Sequence, residues 1–248
     1  MKRKRAAVIL AAGKGKRMKS DLPKVVHTIN GKPLVAILLD TVIEEGFDRI
    51  VVVIGHKGEL VQDALSDYPV EFAWQHDQRG TGDAVKCAHT QLGDFEGITF
   101  IAAGDVPFLS CESIDNLFDC HVATGAAATC LSAVLDNPDG YGRIIRDDKS
   151  DRLRAIVEHK DATDAELSIK EINTGTFCFE NKYLFEALDE VDDSNAQGEY
   201  YLTDAIKILD RRGLRVSVVQ AQNPDEVLGV NSPEDLARIA AIFGDSGH

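Results

Sequence analysis

The feature that most constrains the fold lies near the N-terminus, where the uninterrupted apolar run at 6–12 (AAVILAA) breaks at once into Gly13 and Gly15. A run without polar alternation has no face to show to water, so it predicts a strand covered on both sides, as in a parallel sheet flanked by helices. The glycines then predict a tight loop at the carboxyl end of that strand. Leu34, Ile37, Leu38, Thr41 and Val42 recur at helical spacing, Gly46 supplies a stop, and 49–54 (RIVVVI) is a second buried strand. A helix over 59–66, a strand over 70–74, a helix after Thr81 and a strand over 98–103 continue the alternation. The first ~105 residues therefore read as an α/β, Rossmann-like, doubly wound and mostly parallel sheet.

Beyond Asp105 the pattern changes. Residues 126–134 form a long strand, 136–140 (DNPDG) a turn cluster, and 143–146 and 153–157 the short strands of a hairpin, so 136–172 predicts a small inserted lobe. A strand over 171–180, amphipathic helices over 182–191 and 202–212, a strand over 215–219 and a last helix over 233–243 complete the chain. No repeat or low-complexity linker divides it, so one mixed domain over 1–248 is expected.

Composition removes several classes of function. The chain has 248 residues, 44% of them hydrophobic, enough to bury a core without staples. Its five cysteines are odd in number and include no C-x-x-C pair, which predicts reduced thiols in a cytoplasmic protein, not a disulfide framework or zinc ribbon. No apolar run approaches the roughly 18 residues of a membrane span, and the basic stretch at 2–5 leads into too short a run for a signal segment. A net charge of −14 argues against nucleic acid as a partner, since its binders present a broad basic face. Any anionic ligand has to be held locally.

The local candidates fall at strand ends. Residues 10–18 (LAAGKGKRM) lack both the third small position of a dinucleotide fingerprint and the P-loop spacing. They do gather Lys14, Lys16, Arg17, Lys19 and Lys24 against a single acid, Asp21, beside glycines that let backbone N–H groups approach a polyanion such as a triphosphate. Asp105, in Gly104-Asp-Val-Pro107, follows an apolar strand directly and can offer a hard oxygen to magnesium, or else cap the next turn. At 75–82 (QHDQRGTG), the Gln75 amide with backbone near Gly80 and Thr81 suits the donor and acceptor edge of a pyrimidine, while a turn with an N-cap at Thr81 is the simpler alternative. Gly140-Tyr-Gly142-Arg, Glu158-His-Lys160, Asn173-Thr-Gly175 and Gly229-Val-Asn231 each set a small residue beside a polar one, as a hydroxyl-rich sugar requires and as ordinary turns also do. The seven histidines show no metal-binding spacing.

Taken together these segments resemble the sugar-1-phosphate nucleotidyltransferases, and within them the uridylyltransferase domain of the bifunctional bacterial enzymes that make UDP-N-acetylglucosamine, from about residue 6 to 240. The likeness is carried by LAAGKG-x-RM with Asp21-Leu-Pro-Lys24, Gln75-x-x-Gln78-x-Gly-Thr-Gly82, Gly104-Asp-Val-Pro107, Gly140-Tyr-Gly-Arg-Ile144, 156–163 (IVEHKDAT), 171–175 (EINTG), 195–201 (NAQGEYY) and Gly229-Val-Asn231. The resemblance implies the nucleotide-diphospho-sugar transferase fold, with a nucleotide-binding half to about residue 110 and a sugar-binding half over 111–243. It implies that Arg17 and Lys24 serve the triphosphate as catalytic residues. Leu10, Ala11, Ala12, Gly13, Gln75, Gly80 and Thr81 would line the nucleoside, and Ala103, Gly104, Gly142, Glu158 and Asn173 the amino-sugar. Asp105 and Asn231 would hold Mg²⁺. Three positions depart from the usual residues of that family: Lys16 for threonine, Ala103 for tyrosine and Asp83 for histidine. The absence of hexapeptide repeats predicts no acetyl transfer and a monomer or weak dimer. UTP and a sugar-1-phosphate are the expected partners; a thymidylyl or cytidylyl transferase, or a silent nucleotide-sugar sensor, are the alternatives.

Overall fold

The computed structural model describes residues 3–147 and 152–243; Lys2 of the basic run and the side chain of Lys16 in the glycine loop lie outside the described residues. Strand β1 (Arg5–Ala11) leads through the glycine loop to a short ribbon, β2 (Thr28–Ile29) and β3 (Lys32–Pro33), then to helix α1 (Leu34–Glu44) and strand β4 (Arg49–Ile54). Helix α2 (Gly58–Ala64), strand β5 (Glu71–Trp74), helices α3 (Thr81–Cys87) and α4 (His89–Leu92) and strand β6 (Ile98–Ala103) follow. Helix α5 (Cys111–Thr124) precedes strand β7 (Ala128–Val134), the hairpin of β8 (Arg143–Arg146) and β9 (Leu153–Val157), and helix α6 (Asp164–Leu167). Strand β10 (Glu171–Glu180), helices α7 (Asn181–Leu188) and α8 (Asp204–Arg211), strand β11 (Val216–Gln220) and helix α9 (Pro233–Phe243) end the described chain.

The main sheet runs β11-β7-β10-β6-β1-β4-β5, with the β8–β9 hairpin attached through β10. β1 pairs in parallel with β4 and β6, β4 with β5, and β11 with β7, while β10 runs antiparallel to both β6 and β7. The sheet is mostly parallel, as the alternation predicts. Successive residues of its strands enter opposite cores, as a period of two requires. Ala6, Val8, Val51, Val53 and Ile101 pack with α3, α7 and α8, whereas Ala7, Ile9, Val52, Ile54 and Phe100 pack with α1 and α5. Both faces of β1 are thereby covered, which is why that segment tolerates no polar residue.

Helix α5 escapes the strand-and-helix reading of the sequence, although Ile114, Leu117, Phe118 and His121 repeat at helical spacing and are all buried. Its boundary signals are equally plain: the Ser110 hydroxyl accepts from the Ser113 N–H, and Gly125 ends the helix with φ +61°. Helix α8 begins at Asp204 and not at residue 202: Asp204 N–H and Ala205 N–H donate three residues back, to the Tyr201 and Leu202 carbonyls, closing turns before the regular helix sets in. Since β1, β4, β5 and β6 run in one direction, their carboxyl ends open on one edge, where ligands of such sheets bind.

Candidate active site

The glycine loop bends back upon Lys24. Gly15 has φ +57°, and a Cβ there would lie 2.9 Å from Lys24 Cβ, so only glycine allows this approach. Met18 N–H donates to the Gly15 carbonyl at 2.9 Å, and the Met18 side chain is buried with Leu34 and Val230. That anchor leaves Arg17 exposed at the cleft, where its Nη2 donates to Asn231 Oδ1 at 3.0 Å. Lys24 Nζ donates to Asn231 Oδ1 at 2.9 Å and also to Asp105 Oδ2.

Asp105 reaches that point because β6 ends closely against β1. Gly104 N–H donates to the Leu10 carbonyl at 2.9 Å, and a Cβ on Gly104 would sit 3.1 Å from the same oxygen. Val230 N–H donates to the Asp105 carbonyl at 2.9 Å, which lays the 229–231 segment alongside. Asn231 N–H and Ser232 N–H both donate to Asp235 Oδ2, at 3.1 and 3.0 Å, tying the segment to the start of α9. Arg17, Lys24, Asp105 and Asn231 thus meet at one place although Asp105 and Asn231 lie 81 and 207 residues from Lys24. A cavity of about 420 Å³ opens beside them, lined in part by Arg17, Tyr141, Gly229, Asn231 and Arg238.

The arrangement also tests whether a divalent ion suits these residues. One carboxylate oxygen and one amide oxygen converge on a single cationic atom, the Lys24 ammonium nitrogen. Magnesium takes one or two such hard oxygens from protein and completes its shell with water and phosphate, so the donor set fits it. Among the described residues no group of three or more His, Cys, Asp and Glu could enclose a metal.

On the far side of the loop, Ala11 and Ala12 are buried, Leu10 is half-buried and Gly13 is exposed. Gly55 joins this strand end to the next: a Cβ there would lie 2.8 Å from the Gln75 carbonyl and 3.0 Å from Ala12 Cβ. Gln75 is only 3% exposed, and its Nε2 donates to the Gly80 carbonyl at 3.0 Å and to Asp83 Oδ2 at 2.7 Å. Gly80 has φ +120°, with space for a Cβ closed off by the Tyr200 carbonyl at 2.5 Å. Gly82 N–H donates to that carbonyl at 2.7 Å, and Tyr200 N–H donates to the Arg79 carbonyl at 2.8 Å. Thr81 does not cap α3; Gly80 holds the N-cap position, and Thr81 Oγ1 accepts from Leu202 instead.

Gly142, Glu158 and Asn173 form a second group. Asn173 N–H donates to the Gly142 carbonyl at 2.9 Å, and a Cβ on Gly142 would lie 3.5 Å from Glu158 Oε2. Asn173 Oδ1 accepts from Gly175 N–H at 2.9 Å, fixing the side chain beside a glycine of φ +78°. Glu158 Oε1 accepts from the Thr203 hydroxyl at 2.9 Å. Burial pushes the Glu158 carboxyl up, with Asp204, Asp161 and Glu199 adding to it against the Thr203 hydrogen bond. Ala103, half-buried at the end of β6, precedes Gly104.

Three residues of this neighbourhood carry no separate signal in the sequence. Tyr141, inside the Gly-Tyr-Gly segment, is half-buried; burial raises its hydroxyl, against a hydrogen bond to the backbone of Gly229 and with the charge of Asp105. Tyr200 and Thr203 arrive from a loop distant in sequence, while Asp83, which the sequence marks only as a departure from the usual histidine, gains a partner in Gln75.

Comparison with known proteins places this geometry in context. The family model of the MobA-like NTP transferase domain matches residues 7–171. "Bifunctional protein GlmU" of Geobacillus sp. (strain WCH70) is 48% identical over 240 residues, covering 97% of this chain and 52% of that protein. The protein of the same name from Halalkalibacterium halodurans is 49% identical over 239 residues, covering 96% and 52%. The chain therefore spans about half the length of the curated relatives it matches. Among solved structures, UDP-glucose pyrophosphorylase complexed with UDP-glucose superposes with a TM-score of 0.78 at 16% identity, over 98% of this chain and 100% of that one, a likeness of fold. Among the described residues no helix is long and apolar enough to cross a membrane.

Proposed function

The chain belongs to the MobA-like NTP transferase domain family and is a nucleotidyltransferase, and from that premise we propose that it transfers a uridylyl group from UTP to N-acetylglucosamine-1-phosphate, releasing pyrophosphate. The observation that carries this reading is the convergence of the Asp105 carboxylate and the Asn231 amide oxygen on Lys24 Nζ, beside Arg17. The relatives named GlmU, at 48% and 49% identity over nearly the whole chain, support the choice of base and sugar.

An oxygen of the sugar phosphate attacks the α-phosphorus of UTP, a new P–O bond forms, and the bond to the β-phosphate breaks with its electron pair leaving on pyrophosphate. A phosphate monoester loses its second proton near a pKa of about 6, so the nucleophile is already ionised at neutral pH and no general base is needed. The difficulty is repulsion between two polyanions. Lys24 and Arg17 oppose it by placing positive charge where the two phosphates meet, and the glycine loop brings backbone N–H groups to the triphosphate. Gln75, Gly80 and Thr81, with Leu10, Ala11, Ala12 and Gly13, hold the nucleoside. Gly142, Glu158 and Asn173, with Ala103 and Gly104, hold the sugar. Asp105 and Asn231 would hold a magnesium ion, which would supply Lewis-acid neutralisation of phosphate charge.

The test is a panel of nucleoside triphosphates and sugar-1-phosphates read by pyrophosphate release, with and without Mg²⁺. The expected result is Mg²⁺-dependent turnover that is fastest with UTP and N-acetylglucosamine-1-phosphate. A clear preference for TTP or CTP, or for another sugar, would replace the proposed specificity; ligand binding without any turnover would sink the reaction itself.

A further inference from the structure

We propose that Asp83 is a specificity-determining residue: by accepting a hydrogen bond from Gln75 it fixes the amide so that only its oxygen faces the nucleobase. The site then selects a pyrimidine with N–H at ring position 3 over one with a bare ring nitrogen there. The inference rests on the reading of Gln75 as a nucleobase contact.

Gln75 lies just beyond the carboxyl end of β5 and is 3% exposed, so its amide has few ways to be satisfied. Its Nε2 donates to the Gly80 carbonyl at 3.0 Å and to Asp83 Oδ2 at 2.7 Å. A backbone carbonyl and a carboxylate can only accept, so both amide hydrogens are committed. Turning the amide over would press its oxygen against two other oxygens and leave both without a donor. Gln75 Oε1 itself takes no hydrogen bond among the described residues, yet it is not one of the sealed buried atoms that lack a partner. It is the one polar atom of this side chain left able to take a ligand's donor.

Uracil offers a donor, N3–H, to such an acceptor. Cytosine offers the lone pair of N3, and two acceptors in contact repel. Of the two groups that set the amide, the Gly80 carbonyl remains whatever stands at position 83. The carboxylate is the charge-assisted and stronger partner. It is carried in the first turn of α3, which Gly82 N–H fastens to the Tyr200 carbonyl at 2.7 Å. Asp83 touches no substrate in this account; it acts through Gln75.

The experiment measures kcat/KM by pyrophosphate release for UTP, 5-methyl-UTP, CTP and 3-methyl-UTP in wild type, Asp83→Asn and Asp83→Ala, with thermal unfolding as a check on folding. In Asp83→Asn the new amide can donate to a turned Gln75, so the UTP:CTP ratio should fall about tenfold, while the UTP:5-methyl-UTP ratio, which shares the N3–H edge, stays fixed. Asp83→Ala should shift the UTP:CTP ratio the same way by less. An equal loss with every nucleotide would mean that Asp83 is merely structural and would overturn the proposal, as would an unchanged ratio in both variants. Wild type that uses 3-methyl-UTP as well as UTP would instead remove the Gln75 contact itself, and Asp83's role with it. Wild type that rejects 3-methyl-UTP while both variants keep the UTP:CTP ratio would remove Asp83's role alone.

Discussion

Along the edge formed by β1, β5 and β6, the cleft is shaped by backbone: Gly15, Gly80 and Gly104 each allow a close approach that a Cβ would obstruct, and the polar side chains are set in place around them. Across from it, along β8, β9 and β10, the polar groups are held by partners reaching over from other elements, Thr203 to Glu158 and the Asn173 N–H to the Gly142 carbonyl. The first construction tolerates little change in shape, which suits the triphosphate proposed to lie there. The second can change side chain by side chain, which suits the half of the cleft proposed to hold the sugar.

The contrast can be broken most severely at the point where the two sides meet. Replacing Asp105 with Ala, or Lys24 with Ala, should lower turnover by roughly 10³-fold with little change in melting temperature, as expected when one preorganised electrostatic partner is lost. Near wild-type turnover in either variant would show that the cluster is not the reaction centre. Next in size, Gly80→Ala should lower the melting temperature by about 5 °C, because φ +120° and the Tyr200 carbonyl 2.5 Å from the new Cβ oppose any side chain. Differential scanning calorimetry reads this directly, and an unchanged melting temperature would show that the backbone side is less rigid than argued.

The opposite side should respond more mildly and in substrate affinity. Asn173→Ala is expected to raise KM for the sugar phosphate about tenfold, leaving KM for the nucleotide unchanged, in line with one lost hydrogen bond. Equal effects on both KM values would dissolve the distinction between the two sides. The smallest effect concerns Glu158, whose carboxyl is raised chiefly by burial. A raised carboxyl means that the folded protein binds the proton more tightly than the unfolded chain, so the ionised group costs stability above its folded pKa. That cost fades as pH falls through the raised value toward the ordinary glutamate value of about 4.3. Glu158→Gln should therefore melt about 2 °C higher at neutral pH, the gap closing on acidification, while KM for the sugar phosphate rises.

The same division explains what the sequence discloses. The loop with Arg17 and Lys24, and the strand end before Asp105, are legible because contiguous residues determine them: an apolar run, then glycine, then charge. Nothing local joins Asp105 to Asn231, or Glu158 to Thr203; those contacts depend on the order in which strands pair. Asn231 and Glu158 are assigned through resemblance of motifs and not through spacing, and Thr203 through neither. Helix α5 is a different case, since its spacing and its caps at Ser110 and Gly125 are local and legible in the residues themselves. Asp83 stands in the first turn of a correctly expected helix, but its partner is chosen by the turn at Gly80, which the residues alone leave open.

Strand β10 carries a consequence of its own. At Phe177, Cys178 and Phe179 it is clamped between β6 and β7 in the middle of the sheet, and at Ile172, past the end of β6, it meets β8. Between these stations the pairing with β7 slips in register, and Gly175 turns to φ +78°. The hairpin is thus carried on the part of β10 that has lost β6 on one edge but keeps β7 on the other, with an irregular span of a few residues between the two stations. Any shift of the hairpin relative to the strand end before Asp105 would gather its bending at 173–177, where the pairing is irregular.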